Sequence, residues 1–138
     1  MEYVLADTGV WYGIFDNRDS RYNEAQSKLE YFELFRIIIP WPTAYETLRT
    51  RFVRNKPALK QFDSFLKTHQ IIYLDDSVYR DDAFEFAIES SLRGRPLSMV
   101  DCLLRLIIDD PGTKIDYLLT FNKPDFTDIC KKNRIEIL

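Results

Sequence analysis

The chain begins with a short apolar run, Tyr3–Ala6, which ends at Asp7 and is followed directly by a helical pattern. A short apolar run with these boundaries is typical of a buried β-strand. In an open parallel sheet, ligands bind in the crevice beyond the carboxyl ends of the strands. We therefore expect Asp7 to lie at the edge of a sheet where a functional site can form.

Strands and helices alternate along the rest of the chain. Further strands are expected at Phe35–Ile39, Ile71–Leu74, Asp116–Thr120 and Ile135–Leu138. Helices are expected over Thr8–Phe15, after a Ser20 cap, from Thr43 to the break at Asn55-Lys56-Pro57, over Ala58–Lys67, after Asp75-Asp76-Ser77, over Ser98–Ile108, and as a short segment at Asp125–Cys130. This alternation predicts an α/β fold, a parallel sheet with helices on both faces, in one domain over residues 1–138.

The composition excludes several classes of protein. A formal net charge of −3 argues against nucleic-acid binding by bulk charge, although metal ions in an acidic cluster can attract phosphate. His69 is the single histidine, which excludes a histidine-rich zinc site. Cys102 and Cys130 lie far apart and are expected to be free and buried. Neither a signal peptide nor a membrane-spanning run is visible, so we expect a cytoplasmic protein.

Four acidic residues occupy comparable positions in the predicted elements. Asp7 follows the first strand, Glu46 is expected in the first turn of the third helix, Asp101 in the first turn of the Ser98 helix, and Asp125 just past the fourth strand. These positions can converge at one edge of a right-handed α/β sheet. Carboxylates without histidine or cysteine select Mg²⁺ or Mn²⁺, and such an ion can activate water for phosphodiester hydrolysis.

Helix capping is the competing interpretation of the same four residues. Thr43-x-x-Glu46 and Ser98-x-x-Asp101 both fit a capping box, in which the acid only satisfies amides at the helix end. Asp7 and Asp125 can likewise be N-caps. Taken one at a time, the acids do not separate a metal site from capping.

The sequence segments around the four acids resemble the four motifs of PIN-domain ribonucleases. This family includes the VapC-type toxins of toxin–antitoxin pairs. The matching segments are Val4-Leu5-Ala6-Asp7-Thr8, Pro42-Thr43-Ala44-Tyr45-Glu46, Leu97-Ser98-Met99-Val100-Asp101 and Leu119-Thr120-Phe121-Asn122-Lys123-Pro124-Asp125-Phe126. The resemblance implies a three-layer α/β/α fold with strand order 3-2-1-4-5. It also implies Mg²⁺- or Mn²⁺-dependent cleavage of single-stranded or looped RNA.

The family's acidic quartet, which holds one or two metal ions, corresponds in this resemblance to Asp7, Glu46, Asp101 and Asp125. Supporting polar positions correspond to Thr8, Ser98, Thr120 and Asn122. Many relatives carry an acid where this chain has Asn122, so the fourth acid must be Asp125. The neutral residue lowers the charge of the site, which keeps open a catalytically silent PIN-like module that binds RNA or a protein. A phosphoacceptor role for Asp7 is a third alternative, but the chain lacks paired acids beside it.

Contacts to RNA and to partners are predicted less directly. Arg49 lies one helical turn from Glu46, and Arg95 precedes Asp101, so both are candidates to bind phosphate. Tyr12, Trp11 and Trp41 can stack on bases, although burial in the core is the more usual position for Trp11. The resemblance implies a homodimer and a small antitoxin partner. The aromatic segment Tyr22–Phe35 is either a partner groove or part of the core.

Overall fold

The computed structural model describes all residues, 1–138, and contains one five-stranded, all-parallel sheet in the order β3-β2-β1-β4-β5. Its strands are β1 Tyr3–Ala6, β2 Arg36–Pro40, β3 Ile71–Leu74, β4 Tyr117–Leu119 and β5 Glu136–Ile137. Its helices are α1 Thr8–Phe15, α2 Tyr22–Gln26, α3 Leu29–Leu34, α4 Trp41–Thr47, α5 Thr50–Val53, α6 Lys56–Thr68, α7 Arg80–Leu92, α8 Met99–Asp109 and α9 Thr127–Lys132, with a 3₁₀ turn at Lys123–Asp125. The expected strand order and α/β class are confirmed.

The central strand β1 places hydrophobic side chains on both faces of the sheet. Val4 and Ala6 pack into one core with residues of α1, α3, α5 and α6, whereas Leu5 packs into a second core with residues of α7, α8 and α9. This division follows from the alternation of side chains along a strand. The result is the three-layer α/β/α arrangement, with β1 between β2 and β4.

Aromatic side chains fill the first core. Trp11 is fully buried, its ring stacks on Phe32 at 5.3 Å between centroids, and the rings of Phe62 and Phe65 meet it edge-on at 5.5 Å. A buried Trp11 does not contact RNA, so the core interpretation is the correct one. Because Phe32 is also buried, the middle of the Tyr22–Phe35 segment belongs to the core.

Several helices differ from the predicted boundaries: α6 begins at Lys56, inside the expected break, and α9 begins at Thr127. The helix expected after Ser20 is instead two short helices, α2 and α3, and the residue before α2 is Arg21. The third helix begins at Trp41, two residues before the expected start at Thr43, because a proline at position 42 fits the first turn of a helix. Glu46 therefore lies in the last turn of α4, and its expected place in the first turn is wrong.

Helix α7 packs against α8 through small residues and turns its large apolar residues outward. Ala83 and Ser90 are buried, whereas Phe84, Ile88 and Leu92 are 56%, 49% and 83% exposed. The three exposed residues are spaced four apart, so they form one continuous stripe on the helix. The helix starts at Arg80, and the expected cap residue Asp76 is buried and pairs with Arg80.

Two further expectations concern chemistry and membranes. Cys102 and Cys130 are both free and buried in the second core, as expected from their positions in the sequence. None of the helices has the length and apolar character needed to span a membrane.

Candidate active site

Asp7 lies where β1 ends and joins the carboxyl end of β4. Its backbone N–H donates to the carbonyl of Leu119 at 3.0 Å. Its Oδ1 accepts from the Thr8 N–H at 2.7 Å, so Asp7 does cap α1. Its Oδ2 accepts from the Thr120 hydroxyl at 3.0 Å, a contact that capping does not require. A carboxylate oxygen has more than one acceptor site, so both oxygens keep capacity for a cation.

Thr120 connects Asp7 to the turn that carries Asp125. The buried Thr120 Oγ1 accepts from the Asn122 N–H at 3.0 Å, and the Asn122 amide donates in turn to Asp125 Oδ2. Asp125 lies in the 3₁₀ turn, and the residue that precedes α9 is Phe126. The interpretation of Asp125 as an N-cap is therefore wrong. The supporting positions Thr120 and Asn122 form a chain of hydrogen bonds between two of the predicted acids.

Asp101 lies in the first turn of α8, beside Asp125. Ser98 is the N-cap, and its Oγ accepts from the Asp101 N–H at 3.0 Å, so the capping interpretation holds for the Asp101 backbone. Burial raises the pKa of the Asp101 carboxyl, hydrogen bonds from Ser98 lower it, and the charge of Asp125 raises it further. Ser98 therefore caps the helix through the Asp101 backbone, and the charge of Asp125 acts on the Asp101 carboxyl.

Glu46 borders the site from α4 with an exposed side chain. The Thr43 hydroxyl donates to the carbonyl of Pro40 at 2.7 Å, so the predicted capping box between Thr43 and Glu46 does not form. The Tyr12 hydroxyl donates to the carbonyl of Glu46, which ties α1 to α4. The guanidinium of Arg49 lies 4.3 Å from the centre of the Tyr12 ring, in a cation–π contact.

The charges of these acids act on one another. Burial raises the pKa of Asp7 to about 6, against the lowering effect of hydrogen bonds from Thr120 and Thr8, and the charges of Asp101 and Glu46 raise it further. Asp125 acts on Asp101 in the same sense. Like charges and burial disfavour ionised carboxylates, so the cluster is short of positive charge. The charges of Asp101 and Glu46 therefore act on Asp7, and the charge of Asp125 acts on Asp101.

A divalent cation fits the chemistry of this donor set, although the side chains do not form a closed ligand shell. No three histidine, cysteine or acidic side chains lie close enough together to hold a metal ion as they are placed. The carboxylates of Asp7 and Asp101 are crowded and partly desolvated, and a cation would offset both effects. Hard oxygen donors without histidine or cysteine suit Mg²⁺ or Mn²⁺ and disfavour zinc.

Sequence reasoning missed an ion pair that holds the Asp125 turn. Arg105 is almost buried and donates to Asp128 Oδ1 at 2.7 Å, to Asp128 Oδ2 at 2.8 Å and to the carbonyl of Asp125 at 2.8 Å. The Arg105 hydrogen bonds hold the pKa of Asp128 well below its usual range. The available signal was a lone cation in the apolar helix α8, one turn after Asp101.

The predicted RNA contacts lie on two sides of the acids. Arg95 donates to Asp128 at 3.4 Å and to the carbonyl of Asp125 at 3.5 Å, so it joins the Arg105 pair. Arg49 lies over Tyr12 on the side of α4. Trp41 is partly exposed and stacks on Tyr73 at 4.9 Å between centroids. RNA binding by Arg49 and Arg95 remains a prediction.

No family model matches the chain, and no curated protein matches it in sequence. The fold defines the class: a three-layer α/β/α protein with Asp7 at the point where connections from its central strand change direction.

Proposed function

We propose that this protein is a metal-dependent endoribonuclease of the PIN-domain type. The observation that carries the proposal is the chain of hydrogen bonds that connects Asp7 through Thr120 and Asn122 to Asp125 at the carboxyl edge of β1 and β4. An open α/β sheet binds its ligand at this switch point. The acids are the residues that would hold Mg²⁺ or Mn²⁺.

The proposed reaction is hydrolysis of a phosphodiester bond. A bound divalent ion supplies Lewis-acid polarisation of the phosphate and activates the attacking water. The chain's own residues hold the acids in place: the Thr120 hydroxyl orients Asp7, and the Asn122 amide orients Asp125. Arg49, whose guanidinium lies over the Tyr12 ring, would bind a phosphate next to the scissile bond.

A second candidate function is a catalytically silent PIN-like module. It is favoured by Asn122, which places a neutral amide on Asp125 Oδ2, and by the absence of a closed group of three metal ligands. The two candidates differ in metal affinity. An active site should bind Mn²⁺ and gain thermal stability from it, whereas a silent module should gain little.

The partners and the location are proposed from the family resemblance. They are an RNA substrate, a small antitoxin protein that covers the site, and the cytoplasm as compartment. Together they describe the toxin of a toxin–antitoxin pair. An antitoxin encoded by a neighbouring gene would distinguish a toxin from a housekeeping nuclease.

A homodimer is the proposed assembly, and the surface we assign to it is the α7 stripe, formed by Phe84, Ile88 and Leu92 with Met99 beside it. The stripe borders a shallow apolar depression of about 410 Å³. Unpaired acids, Asp81 and Asp82, lie at the start of α7, and the unpaired Arg93 follows its end. Two antiparallel copies would place the acidic start of one helix beside the basic end of the other, as a twofold interface requires.

The experiment that tests the enzyme is cleavage of a structured RNA by purified protein with Mg²⁺, Mn²⁺ or a chelator. We expect metal-dependent cuts, and we expect Asp7→Asn and Asp101→Asn to reduce the rate by more than about a hundredfold, since even residues behind metal ligands contribute tenfold to a hundredfold. Asp63→Asn is the matched control, because Asp63 is an exposed acid on α6 that pairs only with Lys67.

Retained cleavage in both purified variants would overturn the metal-site assignment. No cleavage by the wild type, together with no stabilisation by Mn²⁺, would favour the silent module. Circular dichroism of each variant establishes that the fold is intact, so that a loss of rate is not a loss of structure.

A further inference from the structure

Four consecutive cations after Glu46 lack an acidic partner. Arg49, Arg51, Arg54 and Lys56 are all exposed, and none forms an ion pair. In a chain with a net charge of −3, this is a local concentration of free positive charge.

The four cations line two adjoining cavities. The first, about 260 Å³, is bordered by Arg49, Arg51 and Arg18 together with Tyr12. The second, about 560 Å³, is bordered by Arg54, Lys56 and again Arg18. Because Arg18 borders both cavities, they form one continuous surface. We call the five residues Arg18, Arg49, Arg51, Arg54 and Lys56 the cationic track.

The charge of the track stays positive after its own acids are counted. Asp16 and Asp19 are the two carboxylates that border the cavities. Asp16 is buried and accepts from Arg18 Nε at 3.0 Å and from Arg18 Nη2 at 3.1 Å, and this pairing holds the pKa of Asp16 below its usual value. A guanidinium carries five N–H groups, so Arg18 keeps donors for a second anion.

The track begins at the acid cluster. Tyr12 borders the first cavity, carries the Arg49 guanidinium on its ring, and donates its hydroxyl to the carbonyl of Glu46. The charge of Glu46 in turn acts on Asp7. Tyr12 therefore connects Glu46 to the first cavity, and Arg18 connects the first cavity to the second.

We propose that the cationic track binds the backbone phosphates of single-stranded RNA on one side of the bond to be cut. This inference rests on the proposed ribonuclease function and names the path of its substrate. Guanidinium groups form paired hydrogen bonds with phosphate oxygens, and four of the five cations are arginines. Tyr12 and Tyr22 lie beside the cations, as aromatic side chains do in sites that stack unpaired bases.

The test measures binding without cleavage. A fluorescent single-stranded oligoribonucleotide is titrated with protein in a chelator, and anisotropy is recorded over a range of salt concentrations. Arg54→Gln/Lys56→Gln should weaken binding about tenfold at low salt and lower the salt slope by about 1.4, since each single-strand phosphate contact contributes about 0.7. Both side chains are exposed, so the variant should keep its fold.

The matched control is Lys114→Gln/Lys131→Gln. Lys114 contacts the carbonyl of Met1 at the amino end of the sheet, and Lys131 lies on α9, so neither borders the track. The control has the same net charge as the track variant. We expect it to bind RNA like the wild type and to keep its salt slope.

Equal affinities for the track variant and the control would overturn the inference, and they would leave the nuclease proposal intact if metal-dependent cleavage persists. Poly-glutamate in place of RNA tests an acidic peptide as the occupant. Binding of poly-glutamate but not RNA, with the same loss in the track variant, would also overturn the inference. RNA binding that depends on the track, without any cleavage, would overturn the nuclease proposal alone.

Discussion

At the scale of single residues, Asp7 is held in an unfavourable charge state by the fold. Its carboxyl is mostly buried near two other acids, and this environment raises its pKa from 3.8 to about 6. Such a residue reduces the stability of the folded chain at neutral pH. Residues with strongly shifted pKa values are concentrated at functional sites, even where they reduce folding stability. The function proposed for Asp7 is to bind a cation.

The pH dependence of stability follows from this shift. Between about pH 4 and pH 6 the folded chain keeps a proton on Asp7 that the unfolded chain has lost, so the free energy of unfolding falls as pH rises through this window. Asp7→Asn removes the effect. The stability of the variant relative to the wild type should therefore increase by up to about 3 kcal/mol from pH 4 to pH 7. Urea unfolding of both proteins at each pH measures the difference.

Mn²⁺ provides the second part of this prediction. At pH 7 it should stabilise the wild type and leave Asp7→Asn unchanged, because the ion needs the carboxylate. Asp63→Asn serves again as the control, since Asp63 is exposed and its stability difference should not follow the same pH curve. A stability difference between Asp7→Asn and wild type that is independent of pH would contradict the assigned environment of Asp7.

At the scale of elements, the Asp125 turn depends on an ion pair between α8 and α9. Arg105 of α8 holds Asp128 of α9 with two hydrogen bonds and the carbonyl of Asp125 with a third. A paired guanidinium with three short contacts fixes the turn more firmly than a single bond would. In the proposed enzyme, Arg105 is therefore a positioning residue that acts through the Asp125 turn.

Arg105→Leu should loosen this turn without unfolding the protein. We expect faster amide exchange over residues 122–130 and a loss of Mn²⁺ affinity and of cleavage of tenfold to about a hundredfold, the usual cost of removing a group behind metal ligands. Hydrogen exchange, metal titration and cleavage assays measure the three effects. Arg105→Lys should recover part of the activity, because it restores the charge but not the paired geometry.

The control for Arg105 is Lys132→Gln. Lys132 pairs with Asp109 at 3.1 Å and so also joins α9 to α8, but it has no contact with Asp125. Its loss should leave metal affinity and cleavage unchanged. Normal activity of Arg105→Leu, with exchange accelerated as expected, would show that the turn does not position a working residue.

Element boundaries were predicted well where the local sequence alone sets them. Helix α1 and strand β3 have the expected bounds, and α8 begins right after its Ser98 cap. The region after Ser20 was predicted as one helix and is two, and α4 starts earlier than Thr43. After Ser20, packing against the core decides which residues complete a helical turn, and propensity is too weak to do so. The early start of α4 has a local cause, because Pro42 fits the first helical turn.

At the scale of the whole molecule, the α7 stripe leaves a large apolar surface uncovered. Phe84, Ile88 and Leu92 are at least 49% exposed, although their spacing is that of a helix face. An uncovered apolar stripe between acidic and basic ends is self-complementary in an antiparallel pair. The proposed homodimer therefore forms through the α7 stripe.

Light scattering coupled to size-exclusion chromatography tests the assembly. Wild type should elute as a dimer, and Ile88→Glu should be a monomer because it places a charge in the apolar centre of the interface. Leu34→Glu is the control, since Leu34 is 63% exposed on α3 and lies outside the stripe. A monomeric wild type would contradict the dimer.

Charge reversal tests the antiparallel arrangement itself. Asp81→Arg and Arg93→Glu should each raise the dissociation constant about tenfold, because each places like charges together. The double variant Asp81→Arg/Arg93→Glu should restore dimerisation, since each copy then presents the reversed pair. Lack of restoration would contradict the antiparallel orientation.

The alternation of short apolar strands with helices determined the α/β class from the sequence alone, because backbone periodicity is a local property. The same local patterns predicted that Asp7 and Asp101 lie at the starts of α1 and α8. The tertiary structure alone decided which side chains meet. The Thr120 contact with Asp7 spans 113 residues, and the Arg105 contact with the Asp125 carbonyl spans 20. It also decided that α7 turns its large residues outward, because the small residues Ala83 and Ser90 permit the closer packing against α8. Packing of distant segments sets such contacts, and a local pattern does not encode it.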